Sequence, residues 1–410
     1  MNICFISHTG DLGGSERSLL YLLESIKKEG GTKMFVVIPS SGPLAEYLKK
    51  INIRYFIHPF NWWTVRRHEK RKSLKEYFPE HLENALNLKR KLQRISPDLI
   101  VTNTSVVCEG ALAANMLGIP HVWYVRELGE KDHGFIFEFG FSFTAKFIND
   151  FSTKVIFNSK AVMNEFSKYV NPDKSIVIYN SISIKKELLS VTLNVKFNNY
   201  RSFKLLVAGT ISRKKNQLDV IRATIDLIQD GYDVELLLIG NCSDDLLMQR
   251  ILSLIGKSSQ SNRFQIHCFI ENPYPLFAKS DAIIVCSKNE AFGRTILEGM
   301  LLNKPVIATN SGGVPEIITH NQNGLLYKPG KYKELANQIK NLIDNPILCK
   351  QLAKNGYETA INKFSNKNYT YKLLRIFEEQ KSFVVPSKKW KRRLCISAII
   401  KDKQSGLLFN

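Results

Sequence analysis

The stretch "AIIVCSKNEAFGRTILEGM" (282–300) contains a strand, a turn and a helix of the kind that build parallel α/β folds. It begins with a continuous apolar run, which is typical of a strand covered by helices on both faces. A polar turn follows with Glu290, and Gly293 then precedes a helix-like segment. In open parallel sheets, ligands bind at the carboxyl ends of the strands, where this turn would lie. The stretch therefore predicts a fold class and a binding site together.

The rest of the chain repeats this alternation of short apolar runs and longer amphipathic segments. The runs are NICFIS, MFVVIP, DLIVTN, HVWYV and KVIFNS in the first half, and FKLLVAG, VELLLIG, FQIHCFI, AIIVCS and PVIAT in the second. Between the halves, residues 181–202 lack this rhythm and carry polar, turn-prone residues. We therefore predict an α/β protein with two Rossmann-like domains, at 1–185 and 200–363, joined by a linker. The helix-like segment at 364–380 has no strand after it and is free to pack elsewhere.

The length and composition of the chain predict two hydrophobic cores, and its cysteines indicate a reducing compartment. The chain has 410 residues, of which 44% are hydrophobic, enough for two packed domains. Its seven cysteines are scattered without a Cys-x-x-Cys motif, which argues against a disulfide framework and a structural metal. We see neither a basic leader nor an apolar run long enough to span a membrane. These observations predict a cytoplasmic protein.

The formal net charge of +21 requires a positive surface potential somewhere on the molecule. Basic clusters occur at 66–75, at 89–94 and at 388–393, the last directly before the apolar run at 394–400. Such clusters can be solvated helix faces, or they can bind anionic lipid surfaces or nucleic acid. We predict that the tail at 381–410 attaches reversibly to anionic membranes, at the inner face of the cell membrane, and a strand or helix packed in the core is the alternative for this tail. Nucleic acid is disfavoured because no helix-turn-helix, zinc-finger or RNP-type signature occurs.

A glycine-rich loop, "GDLGGSERS" (10–18), follows the first apolar run. Gly13 and Gly14 precede a predicted helix, so backbone N–H groups could approach a phosphate or a sugar there. The loop lacks the Walker ending and the Gly-x-Gly-x-x-Gly fingerprint, which disfavours a P-loop NTPase or an ordinary dinucleotide site. A plain strand-to-helix turn is the alternative.

A cationic loop, "GTISRKKNQ" (209–217), follows the first strand of the second half. It contains Arg213, Lys214 and Lys215. A compact ammonium such as that of Lys215 suits the neutralisation of a diphosphate leaving group. Solvated loop cations are the alternative, and the position directly after a parallel strand disfavours it.

Two glutamates flank the turn of the opening stretch, and we assign them different partners. The helix N-terminus between them presents free N–H groups that suit phosphate. Glu298 lies about one turn into the helix, where its carboxylate could accept hydrogen bonds from two ribose hydroxyls. Glu290 lies before the turn, placed to meet hydroxyls of a sugar attached to the diphosphate. Helix-dipole complementation would explain Glu298 alone. The other candidate donor-binding residues of this turn are Phe292, Gly293, Arg294 and Thr295.

With these motifs, the chain resembles a family-4 retaining glycosyltransferase of the GT-B fold over nearly its full length. The family pattern E-x-F-G-x-x-x-x-E matches Glu290, Phe292, Gly293 and Glu298. The Gly13–Gly14 loop, Lys215 and the segment 304–327 match as well. The resemblance implies two domains facing across a cleft, with the last helix crossing back to the first domain. It also implies sugar transfer from a UDP- or GDP-sugar with retention, without a metal and without a permanently bound cofactor.

The sequence departs from the family pattern at two places. Thr210 stands where many relatives carry Arg, so pyrophosphate binding would rest more heavily on Lys215, with Arg213 as the possible substitute. Arg126 and Glu127 stand where many relatives carry a His-Asp or His-Glu pair. We therefore expect Arg126 to contact an anionic part of the donor or the acceptor, and to join Lys215 and Glu290 as a catalytic residue. His121 is expected to be structural.

The predicted function is transfer of a sugar to a lipid-linked or membrane-proximal glycan acceptor, as in polysaccharide synthesis for a bacterial cell envelope. A hydrolase or phosphorylase on the same scaffold, an inverting GT-B enzyme such as an epimerase relative, and a basic nucleic-acid-binding protein are the alternatives. No Asp-x-Asp occurs, and Asp244–Asp245 have no spacing suited to Mg²⁺ or Mn²⁺. A metal-independent reaction is therefore expected. A front-face route is favoured over a covalent intermediate, because Glu290 is the only motif acid near the anomeric carbon and is assigned to sugar hydroxyls.

Overall fold

The structure is a computed structural model, and it describes residues 1–66, 73–182, 202–258 and 260–383. Most of the predicted linker and nearly all of the basic tail lie outside these ranges. So does most of the first basic cluster.

The first domain is built on a seven-stranded parallel sheet. Its strands are β1 (Asn2–Ile6), β2 (Lys33–Ile38), β3 (Arg54–Ile57), β5 (Leu99–Thr102), β6 (His121–Val125), β8 (Lys154–Phe157) and β9 (Ser175–Val177), and a separate antiparallel pair is formed by β4 (Thr64–Arg66) and β7 (Phe135–Phe137). Its helices are α1 (Gly14–Glu29), α2 (Pro43–Lys50), α3 (Leu74–Ile95), α4 (Glu109–Leu117), α5 (Phe141–Asp150) and α6 (Lys160–Phe166). The strand order is β3-β2-β1-β5-β6-β8-β9.

The second domain has a six-stranded parallel sheet. Its strands are β10 (Phe203–Ala208), β11 (Val234–Ile239), β12 (Phe264–His267), β13 (Ala282–Val285), β14 (Val306–Thr309) and β15 (Leu325–Tyr327). Its helices are α7 (Gln217–Gln229), α8 (Asp245–Gly256), α9 (Tyr274–Lys279), α10 (Arg294–Leu301), α11 (Tyr332–Asp344) and α12 (Pro346–Lys363). The strand order is β12-β11-β10-β13-β14-β15. The predicted fold class, two Rossmann-like α/β domains, is confirmed.

The strand order determines where ligands can bind. In each sheet the first strand lies in the interior, with β1 between β2 and β5 and β10 between β11 and β13. The chain changes direction across the sheet at these strands, which opens a crevice at their carboxyl ends. The loops that follow β1, β10 and β13 therefore lie at the crevices.

Burial accounts for several of the strands that the sequence revealed and for several that it did not. Every residue of β5, β6, β13 and β14 is buried, as expected for parallel strands under helices on both faces. The short strands β3, β4 and β9 have no buried residue, and they went unpredicted. Because β3 and β9 are sheet edges and β4 belongs to a two-stranded ribbon, they do not need the apolar runs that mark central strands.

The last described helix, α13 (Asn366–Lys381), crosses back to the first domain as predicted. It buries Tyr369, Leu373, Ile376 and Phe377, whose spacing forms one apolar helix face. The Phe377 ring meets the Phe5 ring edge-on, with centroids 6.1 Å apart. The face belongs to the same core cluster as β1, β2 and α1, so α13 completes the first domain's core.

We predict that Phe377→Ala destabilises the first domain by about 3–5 kcal/mol, because it removes a fully buried ring and leaves a cavity. Urea denaturation followed by tryptophan fluorescence measures this change. Tyr371→Ala is the matched control, since that side chain lies on the same helix but is 68% exposed, and it should change stability by at most about 0.5 kcal/mol. Equal effects of the two substitutions would contradict the packing of α13.

Candidate active site between the domains

The centre of the candidate site is an ion pair between Lys215 and Glu290. The Lys215 Nζ lies 2.7 Å from the Glu290 Oε2, and the side chains are only 26% and 17% exposed. The Ser287 hydroxyl donates to the same oxygen at 2.8 Å. Lys215 follows β10 and Glu290 follows β13, and these strands are neighbours in the sheet. Strand order thus brings together two residues that are far apart in sequence.

The surrounding charges keep both members of this pair ionised. Burial lowers the pKa of Lys215, but the carboxylates of Glu290 and Asp132 raise it, so it ends above its ordinary value. Burial raises the pKa of Glu290, but Lys215, Ser287 and His133 lower it below its ordinary value. At neutral pH the site therefore presents an ammonium and a carboxylate side by side.

Two glycines fix the backbone of Glu290 from the other side. Gly312 has a φ of +56°, and a Cβ there would lie 2.2 Å from the backbone oxygen of Glu290. The Gly313 N–H donates to that same oxygen at 2.8 Å. The turn after β14 packs against the turn after β13 because neither glycine carries a side chain.

The N-terminus of α10 lies beside the ion pair and has no side-chain cap among the described residues. Gly293 precedes it with a φ of +101°, and a Cβ there would lie 3.5 Å from the Glu290 Cγ. The Thr295 hydroxyl donates to the Ala208 carbonyl, at the end of β10, at 3.4 Å. The uncapped N–H groups and the positive end of the helix dipole can together bind an anion there.

The glycine loop of the first domain meets α10 across the cleft. Gly13 caps α1 without a side-chain hydrogen bond. A Cβ at Gly14 would lie 3.6 Å from the Arg294 Cδ. Arg294 donates from Nη1 to the Ser18 hydroxyl at 2.9 Å and from Nη2 to the Glu298 Oε1 at 3.2 Å. Four of the sequence-predicted residues therefore lie together, and they come from both domains.

Two other predicted residues have different surroundings. The Phe292 side chain is buried against Tyr179 and Phe364, with ring centroids 6.1 and 5.8 Å away. It supports the turn from inside, so only its backbone can face a ligand. Arg213 is 65% exposed, and its Nε lies 2.7 Å from the Asp244 Oδ2. Neither side chain joins the central ion pair.

Arg126 lies inside the first domain. Its Nε donates to the Asn103 Oδ1 at 2.9 Å, and Nη1 and Nη2 donate to Asn180 and to the Tyr369 hydroxyl. The guanidinium also lies 3.7 Å from the centroid of the Tyr124 ring. The predicted contact with an anionic part of a substrate stays a prediction. Arg126 joins β6 to the crossover helix in this structure.

The sequence reasoning missed a first-domain loop that reaches the ion pair. Asp132 is buried and accepts from the Leu128 N–H at 2.8 Å, and the His133 Nε2 lies 3.6 Å from its carboxylate. The His133 side chain is 46% exposed. A Cβ at Gly134 would lie 3.6 Å from the Lys214 Cε, in the second domain. The signal in the sequence is His133, the last residue of "HVWYVRELGEKDH", which lies beyond Arg126 in the same stretch.

His121, in contrast, is structural as predicted. It is buried in β6 with its Nε2 2.8 Å from the Thr102 hydroxyl, and burial lowers its pKa to about 3. One group of potential metal ligands occurs in the described part of the chain: His81, Cys108 and Glu109, all fully buried. Its His81 Nδ1 lies 2.6 Å from the Glu109 Oε1, and it shares no residue with the central ion pair.

Within the described ranges, no helix is both long and apolar enough to cross a membrane.

Family comparisons cover both domains. Residues 12–186 match the family described as Glycosyltransferase Family 4, and residues 194–359 match the one described as Glycosyl transferases group 1. An uncharacterized glycosyltransferase of Methanocaldococcus jannaschii is 31% identical over 278 residues, which cover 66% of this chain and 72% of the relative. The lipopolysaccharide core biosynthesis glycosyltransferase LpsD of Rhizobium meliloti is 26% identical over 177 residues, 43% of this chain and 50% of that protein.

Solved structures agree on the fold. The crystal structure of HepE from Anabaena in complex with UDP and glucose has a TM-score of 0.75 and 22% identity, and the match covers 92% of this chain and 99% of HepE. At this identity the likeness shows the fold alone. Together with the family matches and the relative aligned over most of its length, it leads to one conclusion: the chain belongs to the family-4, group 1 glycosyltransferases and has the GT-B fold.

Proposed function

We propose that this chain transfers a sugar from a UDP- or GDP-sugar to a lipid-linked or membrane-proximal glycan acceptor, with retention and without a metal. The observation that carries the proposal is the Lys215–Glu290 ion pair, 2.7 Å long, beside the uncapped N-terminus of α10. HepE, which shares the fold, was solved with UDP and glucose, and LpsD acts in lipopolysaccharide core biosynthesis. These relatives support the nucleotide-sugar donor and the glycan acceptor respectively.

The donor would lie along the second domain, with each part on a different group. Its diphosphate would contact the free N–H groups of α10 and the ammonium of Lys215. The ribose hydroxyls would donate to Glu298, which Arg294 already orients by a hydrogen bond of 3.2 Å. Glu290 would accept from hydroxyls of the transferred sugar. The Gly13 loop at the start of α1 would approach the donor from the first domain.

A front-face reaction uses only groups present in this cleft. Double displacement would need a nucleophilic carboxylate beneath the anomeric carbon, and retaining glycosidases place two such acids about 5–5.5 Å apart. Glu290 is engaged by Lys215 and Ser287 and is assigned to the sugar hydroxyls. In the front-face route, the bond from the anomeric carbon to phosphate breaks as the acceptor oxygen bonds to the same face. The acceptor proton passes to the departing phosphate, whose charge Lys215 and the α10 amides stabilise.

Lys215→Ala is predicted to lower kcat for the accepted nucleotide sugar by about 10²–10³-fold, the loss typical of removing one preorganised donor to a developing negative charge. The measurement is steady-state turnover, with UDP-glucose and GDP-mannose among the donors tested and calorimetric binding of UDP and GDP in parallel.

Lys354→Ala is the matched control, since it removes an equal charge from a side chain that is 74% exposed. It should leave turnover unchanged. Near-normal turnover of the Lys215→Ala variant would contradict the assignment and move the role to Arg213 or Lys214. Failure of the parent chain to bind any nucleotide would refute the proposed function.

The product should keep the anomeric configuration of the donor, and the reaction should continue in EDTA, because Lys215 and the α10 amides supply the positive charge that a metal would otherwise provide. NMR of the product made by the enzyme in the presence of EDTA measures both the anomeric configuration and the metal independence. An inverted anomer would contradict the retaining mechanism. Activity lost in EDTA and restored by Mn²⁺ would contradict metal independence.

The membrane part of the proposal predicts that the full chain binds anionic vesicles more tightly than a chain ending at residue 383. The tail residues 388–393 are rich in cations, each worth about 1 kcal/mol near an anionic surface, so we expect at least about a tenfold difference at low salt. Co-sedimentation with phosphatidylglycerol vesicles measures it, with phosphatidylcholine vesicles as the control. Equal binding by both chains would move attachment to α3, where Arg90, Lys91 and Arg94 are exposed.

A further inference from the structure

A row of aromatic rings lies on the first domain and ends at His133, which is close enough to the central ion pair to lower the pKa of Glu290. His133 stacks on Phe135 with centroids 5.7 Å apart and planes at 16°. Phe135 meets Trp62 edge-on at 5.3 Å, and Trp62 lies 5.1 Å from the His8 ring. The loop of His133 continues into Gly134, which approaches Lys214 of the second domain. We call His8, Trp62, Phe135 and His133 the aromatic row.

The protein holds this row in place through groups that are themselves buried or bonded. The Trp62 indole N–H donates to the His8 carbonyl at 2.8 Å, and the Tyr77 hydroxyl donates to the Trp62 carbonyl at 3.3 Å. The next residue, Trp63, is fully buried and stacks on Trp123 at 6.0 Å with planes at 5°. The row is therefore anchored to the core rather than to a free loop.

The rings are nevertheless only partly covered. Trp62 and Phe135 are half-buried and His133 is exposed, whereas the neighbouring Trp63 and Phe137 are buried. Because the only polar atom of the Trp62 ring already has a protein partner, the rest of that ring is apolar carbon. Trp62 and Phe135 thus present electron-rich aromatic faces, and neither ring has a free hydrogen-bond donor.

A pyranose ring matches this surface better than a phosphate or an amino acid. The face of an aromatic ring carries partial negative charge, which attracts polarised C–H groups and repels anions. A sugar ring presents C–H groups on its face and hydroxyls around its edge. The hydroxyls would remain free to bond with His133, whose side chain is 46% exposed.

We propose that the aromatic row is the acceptor subsite, in which the accepting pyranose ring packs on Trp62 and Phe135 with its edge toward His133. This rests on the proposed function and specifies it: the acceptor is a glycoside whose sugar ring adjoins the donor. His133 is then a positioning residue for the acceptor hydroxyl.

Saturation-transfer difference NMR tests the subsite on the full chain. The probes are the methyl glycosides of glucose, galactose, mannose and N-acetylglucosamine, titrated with UDP or GDP, whichever binds more tightly, at saturation. For at least one glycoside, we expect transfer to ring C–H protons in the parent chain and an affinity about two- to tenfold weaker in Trp62→Ala. Trp62→Phe, which keeps an aromatic face, should retain most of the affinity. Tyr371→Ala, which removes an exposed ring on α13, should match the parent.

Phe135→Leu keeps an apolar side chain of somewhat smaller volume and removes the ring, so it serves as the second variant if Trp62→Ala does not fold. The proposal is overturned if no glycoside binds the parent, or if the folded ring-removing variants bind as tightly as the parent. Calorimetric binding of the nucleotide separates this failure from failure of the proposed function. If the parent chain binds nucleotide but no glycoside, only the acceptor subsite is contradicted. If the parent chain binds no nucleotide, the donor assignment of the proposed function is contradicted.

Discussion

The Lys215–Glu290 ion pair is the constraint that organises the second domain's side of the cleft. Charges that are largely covered by protein are costly unless they are paired and hydrogen-bonded, so each residue stabilises the other at close range. The pair therefore fixes the loop after β10 against the loop after β13, and a backbone hydrogen bond from Lys288 to Lys214 at 2.8 Å adds to it. Gly312 and Gly313 then bring in the turn after β14. Three loops converge because one charge pair and two missing side chains allow it.

The two domains are joined by contacts that also involve polar groups at helix ends. The Glu316 carboxylate, in the second domain, accepts from the N–H groups of Lys160 and Ala161 at 2.8 Å each, at the start of α6. A carboxylate at a helix N-terminus is favourable because it meets both unpaired N–H groups and the helix dipole. Arg294 makes a second bridge to Ser18. The relative position of the domains, and with it the distance from the aromatic row to the ion pair, depends on such contacts.

The sequence revealed whatever is local to a strand and the turn after it, and little that depends on packing between elements. The sequence could place Lys215 and Glu290 at the ends of two strands because each closely follows an apolar run. The sequence could not show that the Phe292 side chain is buried, because its burial depends on the rings of Tyr179 and Phe364 in other segments. Arg126 has partners that follow β5 and β9 or lie on α13, and no spacing in the sequence indicates those meetings. His133 was missed because a loop, and not a strand, carries it to the cleft.

The distribution of charge separates the two substrates. The described donor side uses few cations, chiefly Lys215 and Arg294, and each already has a carboxylate partner. A nucleotide diphosphate bound as proposed would meet a local field set by these pairs and by helix amides, and a net charge of +21 is far more than it would require. The row proposed for the acceptor is aromatic and includes no lysine or arginine. The cations in excess are more than the sites proposed for the donor and the acceptor use. The partner proposed for this excess is an anionic surface that carries the acceptor, because long-range attraction depends on net charge, whereas the proposed reaction depends on the ion pairs.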